Sequence, residues 1–338
     1  MKHFWLIGIV LALTGCRHKE LWMGGEHFAT IEVNFDWSEA HTLPEEQEGL
    51  SMSMYLYPED GSAPLYYELS GHDGGRVRVP FGRYTVIAWN HENDAILIRG
   101  QEKAATLEFY TRPQPLLASL GLTSTRAPRP TEASEERSVL EPGPLWTGCV
   151  QDLEVSMQAP LKWDVPVEDA YIQFSVGVMN MGNIVFVSES AFALSSVCAS
   201  YFPFDRSLGE ENVSIPFDGQ IIEDEEYGEY IMGHCTLFGH CPKDEQDHWL
   251  TIYAIMADGS KYYTNVDVSD AVHPEEPATI DPGDPGDPGN PPQPGNPNPG
   301  IIDLNLDDIS FPNPFEGDPS AFTRVDEWLT EKIDIIMN

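Results

Sequence analysis

The sequence predicts an all-β chain built as two β-sandwiches in tandem, and three observations carry that reading. Short runs of alternating or β-branched residues recur from residue 30 onward, each bounded by turn residues. No stretch of about twelve residues sustains a helical period. The strand rhythm breaks over 112–148, where Pro, Ser, Thr and Glu accumulate, and then resumes, which separates two blocks of strands.

In the first block, Ile31 to Trp37 alternates strictly: Ile31, Val33, Phe35 and Trp37 are apolar, with Glu32, Asn34 and Asp36 between them. That is the pattern of a strand with one buried face. Ser51 to Tyr57 repeats it through Met52, Met54 and Leu56, and stops at Pro58 and the turn Glu59-Asp60-Gly61. Tyr66 to Leu69 follows, and His72-Asp73-Gly74-Gly75 turns the chain into Arg76 to Val79. Tyr84–Trp89, Ile96–Ile98 and Thr106–Tyr110 complete a sandwich over 28–125. Residues 126–148 read as a loop or linker.

The second block, 149–273, opens with Leu153–Met157. Ala170–Val178, Ile184–Val187, Val213–Phe217, Tyr230–Phe238, Trp249–Met256 and Tyr262–Val268 follow, and together they predict another sandwich. From 274 to 300 the composition collapses to Pro, Gly, Asp and Asn. Three Pro-Gly-Asp triplets lie within it, too few for a collagen helix before Pro291-Pro292 breaks the frame. As an extended spacer this stretch reaches roughly 80 Å. The tail, 301–338, is apolar again. Ile301–Leu306 and Ile333–Met337 alternate as strands, while Val325, Trp328, Leu329 and Ile336 also fit one helix face. Such a tail must bury itself on its own domains, in a small unit, or in a partner's sheet.

The N-terminus gives a location. Lys2 precedes ten apolar residues, Phe4 to Leu13, too short to span a bilayer and right for a signal-peptide core. Leu13-Thr14-Gly15-Cys16 resembles a bacterial lipobox. Residues 1–15 are therefore expected to be a signal peptide, Cys16 the lipid attachment site, and 16–27 a tether. No later segment has the eighteen or more apolar residues that a membrane helix needs. The chain carries 18 Lys and Arg against 55 Asp and Glu, a formal charge of −37. That surface repels nucleic acid and anionic lipid alike, which leaves the acyl chains as the link to the membrane.

Beyond Cys16 the cysteines are Cys149, Cys198, Cys235 and Cys241. An even number in an oxidising compartment permits two disulfides, and Cys235 with Cys241 is the candidate local pair. His234 and His240 sit beside them, but the spacing matches no usual zinc ligand set, so no metal is expected. Nucleophile elbows, HExxH, phosphate loops and dinucleotide fingerprints are missing from the sequence, so neither an enzyme nor a cofactor is expected. With 8 Trp, 13 Tyr and 15 Phe, aromatics could stack on sugars, though on strands they more often pack cores.

Several phrases together resemble a known group. These are Cys16-Arg17-His18-Lys19-Glu20-Leu21, Phe35-Asp36-Trp37, Tyr55 to Gly61, Val79 to Val86, and Ala257-Asp258-Gly259-Ser260 leading to Asp267-Val268-Ser269-Asp270. They are similar to a Bacteroidales lipoprotein family of unknown function, itself related to fimbrillin-like and minor fimbria anchor lipoproteins. The resemblance implies two transthyretin-like, Greek-key sandwiches on an acylated N-terminus exported to the outer membrane. It also implies pilus subunits or other surface proteins as partners. Shaft subunits of such pili lose their lipid to an arginine-directed protease, yet no arginine stands between Arg17 and Arg76 here. The expectation is a non-enzymatic accessory, anchor or adhesin that keeps its lipid and works by strand-mediated contacts. A surface glycan-binding lipoprotein is the alternative.

Overall fold

Strict alternation needs a sheet on one side and solvent on the other, and the first strand meets that need. In the computed structural model, which describes residues 27–40, 50–90, 94–122, 127–225, 227–242, 246–273, 301–307, 309–315, 323–325 and 328–330, β1 (Phe28–Asp36) buries Ile31, Val33 and Phe35 and leaves Glu32 exposed. The signal peptide, Cys16, the tether as far as residue 26, the spacer 274–300 and Ile333–Met337 lie outside the described residues. No helix among the described residues is long and apolar enough to cross a membrane.

The chain continues through β2 (Met52–Pro58), β3 (Leu65–Leu69), β4 (Gly74–Pro80), β5 (Gly82–Asn90), β6 (Ile96–Arg99) and β7 (Glu108–Thr111). A two-residue strand, β8 (Arg137–Ser138), precedes β9 (Trp146–Val155), β10 (Lys162–Pro166) and β11 (Glu168–Asp169). One sheet runs β10-β1-β4 and the facing one β11-β9-β5-β2-β3. Between them Ile31, Val33, Met52, Met54, Leu56, Val79, Val86, Trp163 and Val165 form one core.

This pairing corrects the domain boundary. Residues 149–169 read as part of the second sandwich, yet β9 pairs antiparallel with β5 and β10 pairs parallel with β1. Trp163 and Val165 fill the first core, so the first sandwich closes only with the strands up to Asp169. The local pattern of a strand says that one face is buried; it does not say which sheet receives it.

The second unit holds β12 (Ile172–Val178), β13 (Val187–Cys198), β14 (Ser200–Phe202), β15 (Ser207–Leu208), β16 (Asn212–Asp224), β17 (Gly228–Leu237), β18 (Trp249–Met256) and β19 (Lys261–Asp267). A one-turn helix, α1 (Ser269–Val272), ends it, and the tail adds β20 (Ile301–Leu306), β21 (Thr323–Val325) and β22 (Trp328–Thr330). The strand path is β20-β12-β17-β16-β13-β18-β19-β22-β21. Phe192 and Phe217 stack at 5.2 Å in its core, and Phe174 meets Phe217 edge-on at 6.0 Å. Gly233 makes room for this stack, because a Cβ there would lie 2.6 Å from the Phe192 ring.

The predicted linker 126–148 is a strap, not a free connection. Tyr253 donates its hydroxyl to the Pro128 carbonyl at 2.7 Å, and β8 pairs parallel with β16. Glu136 is drawn under the strap, where its carboxylate accepts from the Ser214 hydroxyl at 2.7 Å, the Ser196 amide at 3.1 Å and the Gln246 amide at 3.2 Å. Burial pushes the Glu136 carboxyl up, and the serine donors oppose that shift. Just upstream, Leu116, Leu117 and Leu120 cover Ala191, Ala193, Tyr253 and Tyr263.

A four-stranded sheet, β15-β14-β7-β6, crosses from one unit to the other. Beneath it Tyr57, Ile87, Trp89, Leu107, Phe109, Leu145, Tyr201 and Phe238 form a shared core. Phe109 is fully buried there. Phe109→Ala should cost about 3–5 kcal/mol, read as a lower denaturant midpoint. It should also open the 112–145 strap to protease before either sandwich unfolds, because it empties the core that couples the two units.

Candidate functional site: the sheet edges closed by the tail

A sheet edge presents unpaired N–H and C=O groups, and any strand-mediated contact must use one. At one end of the second unit, β20 takes that position. It runs parallel to β12 from Gln173 opposite Ile301 to Val178 opposite Leu306. A parallel neighbour needs a long crossover, and residues 274–300 supply the chain length for it. The alternation seen in the sequence is used as expected, since Ile302, Leu304 and Leu306 are all buried in the second core.

The chain beyond β20 stays attached. The Met179 amide donates to the Leu306 carbonyl at 2.7 Å and the Gly182 amide to Ile309 at 2.9 Å. The Asn183 side-chain amide donates to the Phe311 carbonyl at 2.6 Å. Gly182 is required at this crossing, because a Cβ would sit 2.3 Å from the Ser310 hydroxyl. Ile309 and Phe311 are buried, and Phe311 reaches Tyr262 on β19 at 6.2 Å between ring centroids. At that far edge β22 pairs parallel with β19, and β21 pairs with β22. Val325, Trp328 and Leu329 therefore lie in strands, which resolves the helix alternative. The tail thus adds strands in cis at both ends of the sheet, along β12 and at the start of β19.

Other candidate groups are placed as follows. Among the described residues Cys149, Cys198, Cys235 and Cys241 are all free thiols. The Cys235–Cys241 disulfide expected from spacing is not made. Cys235 faces into the second core opposite Phe174, whereas Cys241 turns toward His248, 3.8 Å from its Nε2. A six-residue separation does not bring ends together when one of them is fixed in a strand. Burial pushes the Cys149 thiol up to about 11 and that of Cys235 well above its usual range. His234 is exposed and within 2.9 Å of the Ser175 hydroxyl, away from His240. His240 instead meets His248 and His273, neither of which the sequence singled out. Residues 240, 248 and 273 follow no ligand motif, so spacing gave no signal for them.

The buried or half-buried acids are occupied by partners. Glu108 pairs with Arg99, Glu168 with Arg206, and Glu136 holds the strap. A surface cleft of about 920 Å³ opens at the end of the first sandwich, lined by His27, Pro58, Leu65, Phe81, Arg83 and Glu154. Arg83 and Glu154 face each other across 4.0 Å there. The tyrosines do not form a flat sugar platform. Tyr66 is half-exposed, but its ring tilts against Tyr55 at 5.2 Å and Trp89 at 6.3 Å, and Trp89 packs on Phe109 in the shared core.

Residues 15–218 match the family described as Domain of unknown function (DUF5119). The chain belongs to DUF5119. Its sequence is 26% identical over 179 residues to a curated protein of Bacteroides ovatus named "Putative fimbrium anchoring subunit Fim4B". The match covers 52% of this chain and 48% of that protein, so the DUF5119 chain spans about half the length of its curated relative. A crystal structure from Bacteroides ovatus described as a "putative adhesin" superposes with a TM-score of 0.56 at 19% identity, over 73% of this chain and 84% of that one. The fold is shared, and the kinship read from the sequence is shown as membership of DUF5119 and likeness to a putative fimbrium anchoring subunit.

Two outcomes follow from this geometry. Unfolding a DUF5119 chain prepared without Cys16 should release four thiols to Ellman's reagent, with Cys198, Cys235 and Cys241 unreactive before unfolding; a count of two would restore a disulfide. Truncation after Gly300 removes five buried apolar side chains, each worth roughly 1.5–3 kcal/mol. The thermal midpoint should fall, and a peptide of residues 301–315 added in trans should recover it.

Proposed function

We propose that this chain is a non-enzymatic accessory of a fimbrium, an anchor or adhesin component held to the outer membrane by acyl chains on Cys16. The observation that carries the reading is the pairing of the chain's own tail with the second sheet, along β12 from Gln173 to Val178 and at the start of β19. A subunit that polymerises by strand addition must offer an open edge or groove. Here the tail occupies β12 along nearly its whole length and the first residues of β19, so this unit suits a chain end or a base better than a shaft.

Two further observations support it. The curated relative bears the name of a fimbrium anchoring subunit. The first arginine after Arg17 is Arg76, which lies within β4 opposite Glu32 of β1. Cleavage there would strip β1, β2 and β3, and with them Ile31, Val33, Met52 and Met54 of the first core. Apart from Arg17, which adjoins the lipid site at Cys16, an arginine-directed protease meets no arginine before Arg76, where a cut destroys the sandwich rather than trims it. The contacts to a pilus subunit or another surface protein then fall to the outer faces and loops of the two sandwiches.

Mass spectrometry of the mature protein from its native membrane tests the anchor. The expected N-terminus is acylated Cys16, and Cys16→Ala should leave the protein in the soluble periplasmic fraction. A mature chain that begins well beyond residue 16 would contradict the anchor role. Affinity capture from intact cells should co-purify pilus subunits; retention on glycan without them would favour the sugar-binding alternative.

A further inference from the structure

Three imidazoles converge at the point where the chain leaves the second sandwich for the Pro-Gly-Asp spacer. One ligand atom from each of His240, His248 and His273 lies within 4.8 Å of the other two. The ring centroids of His240 and His273 are 4.4 Å apart, those of His248 and His273 5.0 Å, and those of His240 and His248 5.6 Å. The Nε2 atoms of His248 and His273 approach to 3.0 Å. A tetrahedral ion with nitrogen ligands at about 2.0–2.1 Å holds those nitrogens roughly 3.3–3.5 Å from one another.

His248 is fully buried and fixed from several directions. Its amide donates to the Ser269 hydroxyl at 2.9 Å, and its carbonyl accepts from the Val268 amide at 2.9 Å. Its Nδ1 lies 3.3 Å from the Ser195 carbonyl, and its Nε2 lies 3.2 Å from the Cys241 carbonyl. A neutral imidazole has one N–H, so it satisfies one of these carbonyls and turns a lone pair toward the other. Burial disfavours the charged form of both His248 and His240. With Nδ1–H donated to Ser195, the Nε2 lone pair faces the His273 Nε2 and the Cys241 thiol, a position that an N–H of His273 or a cation can occupy. A ring nitrogen that donates to a backbone carbonyl is also how metal-ligating histidines are oriented.

We propose that His240, His248 and His273 bind one divalent transition cation of the zinc class, with Cys241 beside the ion. Each ligand is delivered by a fixed backbone. His240 bridges to Val197, His248 leads into β18, and the His273 amide donates to the Ser269 carbonyl at 3.0 Å at the end of α1. His240 and His273 are half-exposed, which gives an ion a route in. Imidazole suits zinc, copper and nickel, and the acidic surface raises local cation concentration. Bound there, the ion clamps the loop after β17, the start of β18 and the last residue before the spacer. It thus fixes where the spacer departs and where force on the tail would be received. The site does not depend on the fimbrial reading.

Calorimetric titration of the metal-free full-length protein with Zn²⁺ alone tests this. One ion per chain is expected. Affinity should fall at least about tenfold in His240→Ala and in His273→Ala, on the scale that loss of a supporting residue already produces. His234→Ala, whose ring is exposed beside Ser175, should bind as the wild type does. Because His273 is half-exposed, His273→Ala should unfold at the same temperature as the wild type without metal, and only the rise on adding Zn²⁺ should disappear. Co²⁺ should give visible bands of a nitrogen-ligated ion in the wild type and lose them in His273→Ala. Failure to find a saturable site in the wild type overturns the proposal, as does an affinity that His273→Ala leaves unchanged or His234→Ala reduces equally.

Discussion

Four strand edges in this molecule are each paired by a parallel strand from a distant part of the chain, and those pairings organise the rest of the fold. The antiparallel meanders leave free edges at β1, β12 and β19 and along the first half of β16. Each is closed by a parallel strand that arrives from elsewhere in the chain. β10 closes β1, β8 closes β16, β20 closes β12 and β22 closes β19. These are the parallel pairs among the described strands. Parallel pairing cannot be made by a tight turn, so each requires a long excursion. The strap, the return through 146–169 and the Pro-Gly-Asp spacer are those excursions.

The strap also explains the polar centre of the second unit. Where β13 shifts register between Leu194 and Val197, Ser196 adopts φ 62° and its amide loses a ladder partner. Glu136 from the strap replaces that partner and also accepts from Ser214. Burying a carboxylate is costly unless donors surround it, and here they do. The Ser196 hydroxyl donates to the Asp247 carbonyl and the neighbouring Ser195 carbonyl faces His248. One bulge thus positions both the strap and the histidine cluster.

A picture of the whole molecule follows from these connections. The two sandwiches are not beads on a string, because β7 pairs with β14 and a shared core lies beneath them. Phe109, Trp89 and Tyr201 belong to that shared core. The first core is kept intact by the same strands that place Arg76 inside a sheet.

The strands themselves were legible in the sequence, because period-two alternation is a local property. Ile31, Val33 and Phe35, Met52, Met54 and Leu56, and Ile302, Leu304 and Leu306 all bury the face that the pattern assigned. Alternation does not encode the partner. Whether Trp163 and Val165 complete the first core or the second, whether 301–306 folds in cis, and whether 126–148 is free or fastened were decided by long-range pairing and packing. The same limit holds for sites. Cys235 and Cys241 looked joined because they are near in sequence, yet β17 buries one and the following loop carries the other toward His248. His240, His248 and His273 meet because the ends of β17 and α1 and the start of β18 share one corner of the sandwich, a proximity that only the tertiary structure creates.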